Sequence, residues 1–286
     1  MHFASYNIRG RASFGIVAGD GVIDLRLRLA PRYVSLLDVL RAGTIDEAKA
    51  AVSGVRADYP LNEVELLPPV PGGEKILCIG VNYANRDGEL TNAGGNADAK
   101  YPSMFFKPPN ALVGHNRPIL RPPESEQLEY EGEIALVIGK TGRRLARESA
   151  LDHVAGITLC NEGTIRDWIR HGRFNVTQGK SWDATGSIGP WMTTGVDLTR
   201  PLHIVCKING EVTQDDTTAS MIFGFADILS YVSTFMTLKP GDVVATGTPI
   251  KLNQAPGERK WLKAGDVFEM TVPEVGTLRN VVQDEK

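Results

Sequence analysis

The stretch Glu129-Tyr130-Glu131-Gly132-Glu133-Ile134-Ala135-Leu136-Val137-Ile138 constrains this chain more than any other. Its second half demands a buried strand, ended by Gly139-Lys140. On a strand, residues two apart project to the same face, so Glu131 and Glu133 point together with Cα atoms roughly 6.5–7 Å apart. Glu129 joins them if the strand begins early. Carboxylates side by side at the head of a core strand repel. A positive charge must offset them, or one must take up a proton. A divalent cation with oxygen ligands supplies such an offset. A frayed, solvated strand start is the other arrangement that this spacing permits.

A second acidic group follows in Cys160-Asn161-Glu162-Gly163-Thr164-Ile165-Arg166-Asp167-Trp168. The apolar segment 154–160 ends in Asn-Glu-Gly, and the spacing predicts a helix over 164–171. Glu162 then sits at a strand-to-helix junction. It is either a third oxygen ligand or a bystander to helix capping by Asn161, Thr164 and Asp167. A carboxylate-only site selects hard cations, so Mg²⁺ or Mn²⁺ fits better than zinc. The histidines His2, His115, His153, His171 and His203 are scattered and form no pair at ligand spacing.

Elsewhere the chain reads as strands and turns. Residues 14–25 read as a hairpin around Ala18-Gly19-Asp20-Gly21, and 35–40 and 45–52 have helical spacing. The cluster Pro68-Pro69-Val70-Pro71-Gly72-Gly73 sets an expected boundary between a small unit, 1–70, and a large one, 71–286. Strands are expected at 75–81, 204–208, 243–246 and 267–272, with an Asn209-Gly210 hairpin turn. Helices are expected at 147–154 and 225–235. Strands with few intervening helices argue for an α+β, mainly β fold. There is no P-loop, dinucleotide fingerprint, HExxH or GxSxG motif.

A net charge of −3 over 286 residues, with no basic stripe, argues against nucleic acid as a partner. No apolar run approaches the roughly 20 residues needed to span a bilayer. Met1-His2-Phe3-Ala4-Ser5-Tyr6 lacks the features of a signal peptide, so a cytoplasmic location is expected. Cys78, Cys160 and Cys206 lie in mostly apolar surroundings and read as buried free thiols.

Taken in order, these stretches resemble the motif series of the fumarylacetoacetate hydrolase superfamily. The series is Ile79-Gly80-Val81-Asn82-Tyr83-Ala84, Glu131-Gly132-Glu133, residues 161–167, Gly179-Lys180-Ser181-Trp182-Asp183 and Thr246-Gly247-Thr248-Pro249. The resemblance spans roughly residues 74–282, and the small N-terminal unit looks like the family's α/β accessory domain. It implies a mixed β-roll, a homodimer, and a Mg²⁺ or Mn²⁺ site held by Glu131, Glu133 and Glu162, the last where the family more often has Asp. It implies that Lys180 lies beside metal and substrate, that Arg166 faces the substrate, and that Tyr83, Gly247 and Thr248 help bind it. The implied substrate is a small 2-oxo acid, which chelates the cation so that an enolate is stabilised.

One departure matters. In Asn82-Tyr83-Ala84-Asn85-Arg86-Asp87-Gly88-Glu89, Glu89 is in place but Arg86 stands where many relatives carry His. Arginine stays protonated and cannot act as a base, although it can grip a carboxylate. Glu89 alone could activate water, another residue such as His115 or His171 could supply the base, or the reaction could need no water. Ile169 replaces a substrate-facing Gln of many relatives, and residues 164–183, with Trp168 and Trp182, are expected to form a lid. The first expectation is a hydrolase cleaving a C–C bond in an acylpyruvate-like 2,4-dioxo acid. The rival is an isomerase, tautomerase or decarboxylase of a 2-oxo acid in aromatic-acid breakdown. A non-catalytic ligand-binding protein on the same fold is the third.

Overall fold

The apolar run after Glu133 becomes the Gly132–Ile138 strand, and all seven of its residues are buried. Its neighbours are the antiparallel strands Val154–Asn161 and Val243–Ala245. Both faces are covered, which is why its sequence reads as continuous rather than alternating hydrophobicity. Ile134, Leu136 and Ile138 enter the main core, whereas Val137 faces a second cluster built with Phe3, Phe14, Leu36 and Leu40. The computed structural model describes residues 1–84, 99–173, 175–252 and 260–286. Arg86 and Glu89 therefore lie outside the described residues.

The Gly132–Ile138 strand belongs to a 12-stranded mixed sheet. From one edge the order runs Tyr59–Pro60, Gly21–Asp24, Arg11–Ala18, His2–Ile8, Gly186–Thr193, Val154–Asn161, Gly132–Ile138, Val243–Ala245, Ile76–Gly80, Ser103–Phe106; off this path, Glu65–Leu66 pairs with His2–Ile8 and Leu112–Val113 with Gly186–Thr193. A second sheet of five strands packs across the main core, contributing Cys206, Phe268, Met270 and Leu278. The helix Phe225–Phe235 closes that core with Ile228, Leu229 and Val232. The architecture is α+β and mainly β. The expected hairpin forms with Ala18 opposite Gly21. The Asn209-Gly210 turn joins His203–Ile208 to Glu211–Thr217, and both turn residues adopt positive φ. Across the Pro/Gly cluster at 68–73, the sheet is continuous: His2 pairs with Thr193 and Phe3 with Met192.

The helix expected over 164–171 does not form. Thr164–Ile165 is a short strand paired with Leu128–Glu129, followed by a 3-10 turn at Arg166–Trp168. Two β-branched residues favour the ladder, and Arg166 is drawn to the carboxylates across it. The segment at 147–154 is likewise a 3-10 helix, Arg147–His153. No helix among the described residues is long and apolar enough to cross a membrane.

Leu136 sits wholly buried at the centre of the sheet. Leu136→Ala should cost about 2–5 kcal/mol in urea unfolding. A loss below about 1 kcal/mol would mean the site can collapse around the deletion and is less tightly packed than described.

Candidate active site

Strand register brings the distant carboxylates together. Gly132 pairs with Asn161 and Glu133 with Cys160, so the residues just beyond the ladder, Glu131 and Glu162, lie opposite each other. The Glu162 amide donates to the Glu131 carbonyl at 2.8 Å, and the Asn161 side chain accepts from the Glu131 amide at 2.9 Å. Glu131, Glu133 and Glu162 are buried, and each offers an oxygen within 4.8 Å of the others. Glu162 thus stands at a strand-to-strand junction rather than a strand-to-helix one.

Cations crowd this cluster. The Lys180 ammonium donates to Glu131 Oε2 at 2.5 Å, to Glu162 Oε2, and to Thr164 Oγ1 at 2.7 Å. All three of its hydrogens are thereby engaged. Arg166 bridges Glu129 and Glu131, the latter at 2.9 Å, and Lys251 pairs with the other oxygen of Glu129. Arg166 was expected to face substrate; its guanidinium is tied into these carboxylates. Lys107, absent from the residues singled out by motif or spacing, is buried and holds Glu162 Oε1 at 2.7 Å. It also donates toward the carbonyls of Glu162, Gly163 and Lys180 at 2.7–2.9 Å. Its only local signal is a charge wedged between Phe106 and Pro108-Pro109.

The electrostatics divide the acids. Burial opposes ionisation of Glu129, but Lys251 and Arg166 hold its carboxyl down to about 2. Burial, opposed by Lys107 and Lys180, leaves Glu162 pushed up to about 7. Burial, then repulsion from Glu162 and Glu131, pushes Glu133 well above the carboxylate range. Glu133 leans on a neutral donor, the Gly247 amide at 2.8 Å. Lys180 is held above its ordinary value by Glu131 and Glu162 despite burial. It acts as a fixed charge and not as a base.

This donor set suits a hard divalent cation. It is all oxygen, it converges, and burial with repulsion from its two neighbours pushes one member, Glu133, well above the usual carboxylate range. The Lys180 ammonium already sits against two of the three carboxylates, standing in for part of the charge a cation would bring.

Around the acids, Asn82 donates to the carbonyls of Thr246 and Phe223 at 2.8 and 3.0 Å, pinning Tyr83 beside the Thr246-Gly247-Thr248 turn. Gly247 has φ +100, and a Cβ there would meet Asn82 Cβ at 2.7 Å, so the position requires glycine. Tyr83 is buried, with no hydrogen-bond partner for its hydroxyl among the described residues, and burial followed by Glu133 pushes that hydroxyl up. Thr248 accepts from the Gln214 amide at 2.8 Å. His115, considered as a base, accepts the Arg279 amide on Nδ1, and burial pushes it down to about 4. His171 is exposed and stacks on Trp168 at 4.1 Å. Ile169 packs against Gly179. Trp168 and Trp182 meet edge-on at 4.8 Å and line an open surface pocket of about 640 Å³ with Gln178 and Ser181, not with the acids. The three cysteines are buried and free.

Residues 75–283 match the family model for the fumarylacetoacetate (FAA) hydrolase C-terminal domain. The chain belongs to the fumarylacetoacetate hydrolase family. It is 38% identical over 230 residues to the oxaloacetate tautomerase YisK of Bacillus subtilis, covering 78% of this chain and 75% of that protein. Its fold superposes on a fumarylacetoacetate hydrolase from Exiguobacterium antarcticum with a TM-score of 0.82 at 32% identity, each chain fully covered. A maleylpyruvate hydrolase from Sphingobium sp. SYK-6, solved with manganese(II) and pyruvate, superposes at 0.80 with 27% identity, again over all of both chains.

Two outcomes follow. An acid whose folded pKa lies above its unfolded value favours folding while protonated. Glu162 therefore stabilises the metal-free protein below the ordinary carboxylate range, a contribution that drains away as pH rises through about 7, and the raised Glu133 carboxyl acts in the same direction. Metal-free protein should lose thermal stability from acidic pH towards about pH 8. Added Mn²⁺ should restore it with protons released at mildly acidic pH, read by calorimetry in two buffers. Binding without proton release would contradict the raised pKa values. Separately, Lys107→Met leaves the buried Glu162 short of one cation and should cost about 3–5 kcal/mol in chemical unfolding.

Proposed function

We propose that this chain is a Mg²⁺- or Mn²⁺-dependent enzyme that interconverts the enol and keto forms of a small 2-oxo diacid of the oxaloacetate kind. The observation that carries this reading is a charge balance. Among the described residues, the buried carboxylates Glu129, Glu131, Glu133 and Glu162 are matched one for one by Lys107, Lys180, Lys251 and Arg166. A divalent cation adds two positive charges, and a dianionic substrate returns the buried cluster to neutrality.

When bound, the cation would act as a Lewis acid on the 2-oxo acid's carbonyl, with Glu131, Glu133 and Glu162 holding it. The chain's own groups do the rest. Lys180, kept as an ammonium, supplies positive charge where enolate charge develops. Arg166 stays charged beside Glu131 and fixes its orientation. The Tyr83 hydroxyl and Thr248 bind substrate oxygens. With Lys180 and Arg166 locked as cations, the proton at C3 falls to a carboxylate. Glu89 is the proposed acceptor, with Arg86 gripping the substrate's second carboxylate.

Tautomerisation moves a proton and needs no activated water, which accommodates Arg86 in place of His. The similarity to YisK supports this choice. C–C hydrolysis of an acylpyruvate is the second reading. It is favoured by the likeness to the maleylpyruvate hydrolase and needs Glu89 to activate water. A homodimer is part of the proposal; Tyr101, Phe106 and Phe235 are exposed aromatics available to such an interface.

Decay of enol-oxaloacetate absorbance should accelerate with Mn²⁺ or Mg²⁺, and Glu131→Ala should lower that rate about a thousandfold with the fold retained. Stoichiometric pyruvate from an acylpyruvate, with oxaloacetate untouched, would select the hydrolase instead. No metal-dependent turnover of either would sink the enzyme assignment.

A further inference from the structure

Glu131 and Glu162 are each divided between two cations. Lys180 donates to Oε2 of both, at 2.5 Å for Glu131. The second oxygen of each goes elsewhere. Arg166 donates to Glu131 Oε1 at 2.9 Å, and Lys107 donates to Glu162 Oε1 at 2.7 Å. Glu133 in turn has its Oε2 on the Gly247 amide at 2.8 Å. Every acid of the cluster thus has one oxygen engaged by a donor other than Lys180.

The two lysines on Glu162 are held very differently. The partners of the Lys180 ammonium are the side chains of Glu131, Glu162 and Thr164, which can change rotamer while the backbone stays in place. The Lys107 ammonium lies 2.9 Å from the main-chain carbonyls of Glu162 and Gly163 and 2.7 Å from that of Lys180. With Glu162 Oε1, that makes four acceptors for three hydrogens. The Lys107 side chain is 0% exposed. To leave, it would have to strand three carbonyls inside the protein or carry the backbone with it. A cation entering the cluster is repelled by both ammoniums, and Lys180 is the one that can yield. Glu162 Oε1 stays with Lys107. A divalent ion on that same oxygen would sit beside the ammonium, where like charges repel strongly in a dry interior.

We infer that Lys107 is a positioning residue that sets how many oxygens Glu162 gives a bound cation: it keeps Oε1 out of the site, so the third acid contributes Oε2 alone. This rests on the proposed reading of the cluster as a divalent-cation site. The consequence is selectivity. Mg²⁺ takes about six ligands in near-octahedral geometry, which one oxygen per carboxylate suits, whereas Ca²⁺ takes about six to eight and accepts carboxylates through both oxygens. By holding the ligand count down, Lys107 disfavours Ca²⁺. It does so through Glu162 and without touching the ion.

The test is competition on the full-length protein loaded with Mn²⁺. Mg²⁺ or Ca²⁺ is titrated in, and released Mn²⁺ is read by electron paramagnetic resonance. The readout is the ratio of the two displacing concentrations. Removing a nearby positive charge strengthens both ions together and leaves that ratio unchanged. Lys107→Met keeps the side chain's length, removes the ammonium and frees Oε1. It should shift the ratio about tenfold in favour of Ca²⁺, the worth of one added ligand bond. An unchanged ratio, with both ions bound more tightly, would make Lys107 a counter-charge alone and overturn the inference. Should Lys107→Met fail to fold, crystals of the unmutated protein grown with Ca²⁺ decide. One Glu162 oxygen on the ion, with Lys107 still on Oε1, is the expected result. Both oxygens on the ion, with Lys107 displaced, would overturn the inference. A free Mn²⁺ signal undiminished by the unmutated protein would overturn the reading of the cluster as a metal site, and this inference with it.

Discussion

Three carboxylates held within 4.8 Å of one another inside a protein are unstable unless their charge is offset. The rest of the site follows from that constraint. The Gly132–Ile138 and Val154–Asn161 strands deliver Glu131, Glu133 and Glu162 to one place by register alone. Buried lysines and an arginine then supply counter-charge from three other parts of the chain. Lys107 follows the Ser103–Phe106 strand, Lys180 ends the Thr177–Lys180 helix, and Lys251 follows the Thr246-Gly247-Thr248-Pro249 turn. The offset is uneven. Lys251 and Arg166 hold the Glu129 carboxyl well down, whereas burial and the neighbouring acids push Glu133 up, with the neutral Gly247 amide for support.

That unevenness gives the site its capacity. Lys180 spends every donor on the acids and Thr164, so a cation taken up by Glu131 and Glu162 must share or displace those bonds. Displacement would free an ammonium next to the bound ion, which is where a developing enolate needs positive charge. The cost of burying the acids in the metal-free state thus holds Lys180 at the position the proposed reaction requires.

Local features were legible in the sequence. The Asn209-Gly210 turn, the Phe225–Phe235 helix and the apolar strand after Glu133 each carry their signal within a few residues. The pairing of Glu131 with Glu133 follows from strand periodicity, and Glu162 stands out as an acid ending an apolar run. The long-range partners left no such trace. Lys107 and Lys251 meet their carboxylates through tertiary contacts 55 and 122 residues away. The family resemblance implies a substrate-facing role for Arg166, and its ion pairs with Glu129 and Glu131, formed across the fold, left no trace in its local spacing. The helix over 164–171 failed for the same reason. A ladder with Leu128–Glu129 outweighed local spacing.

The central claim is that Glu131, Glu133 and Glu162 together hold one divalent cation. The most direct measurement is anomalous diffraction at the manganese edge from crystals grown with Mn²⁺ and oxalate. A single peak bounded by oxygens of all three carboxylates, with the Lys180 ammonium shifted away from at least one of them, is the expected result. No peak there, with Lys180 still bonded to Glu131 and Glu162, would contradict the account.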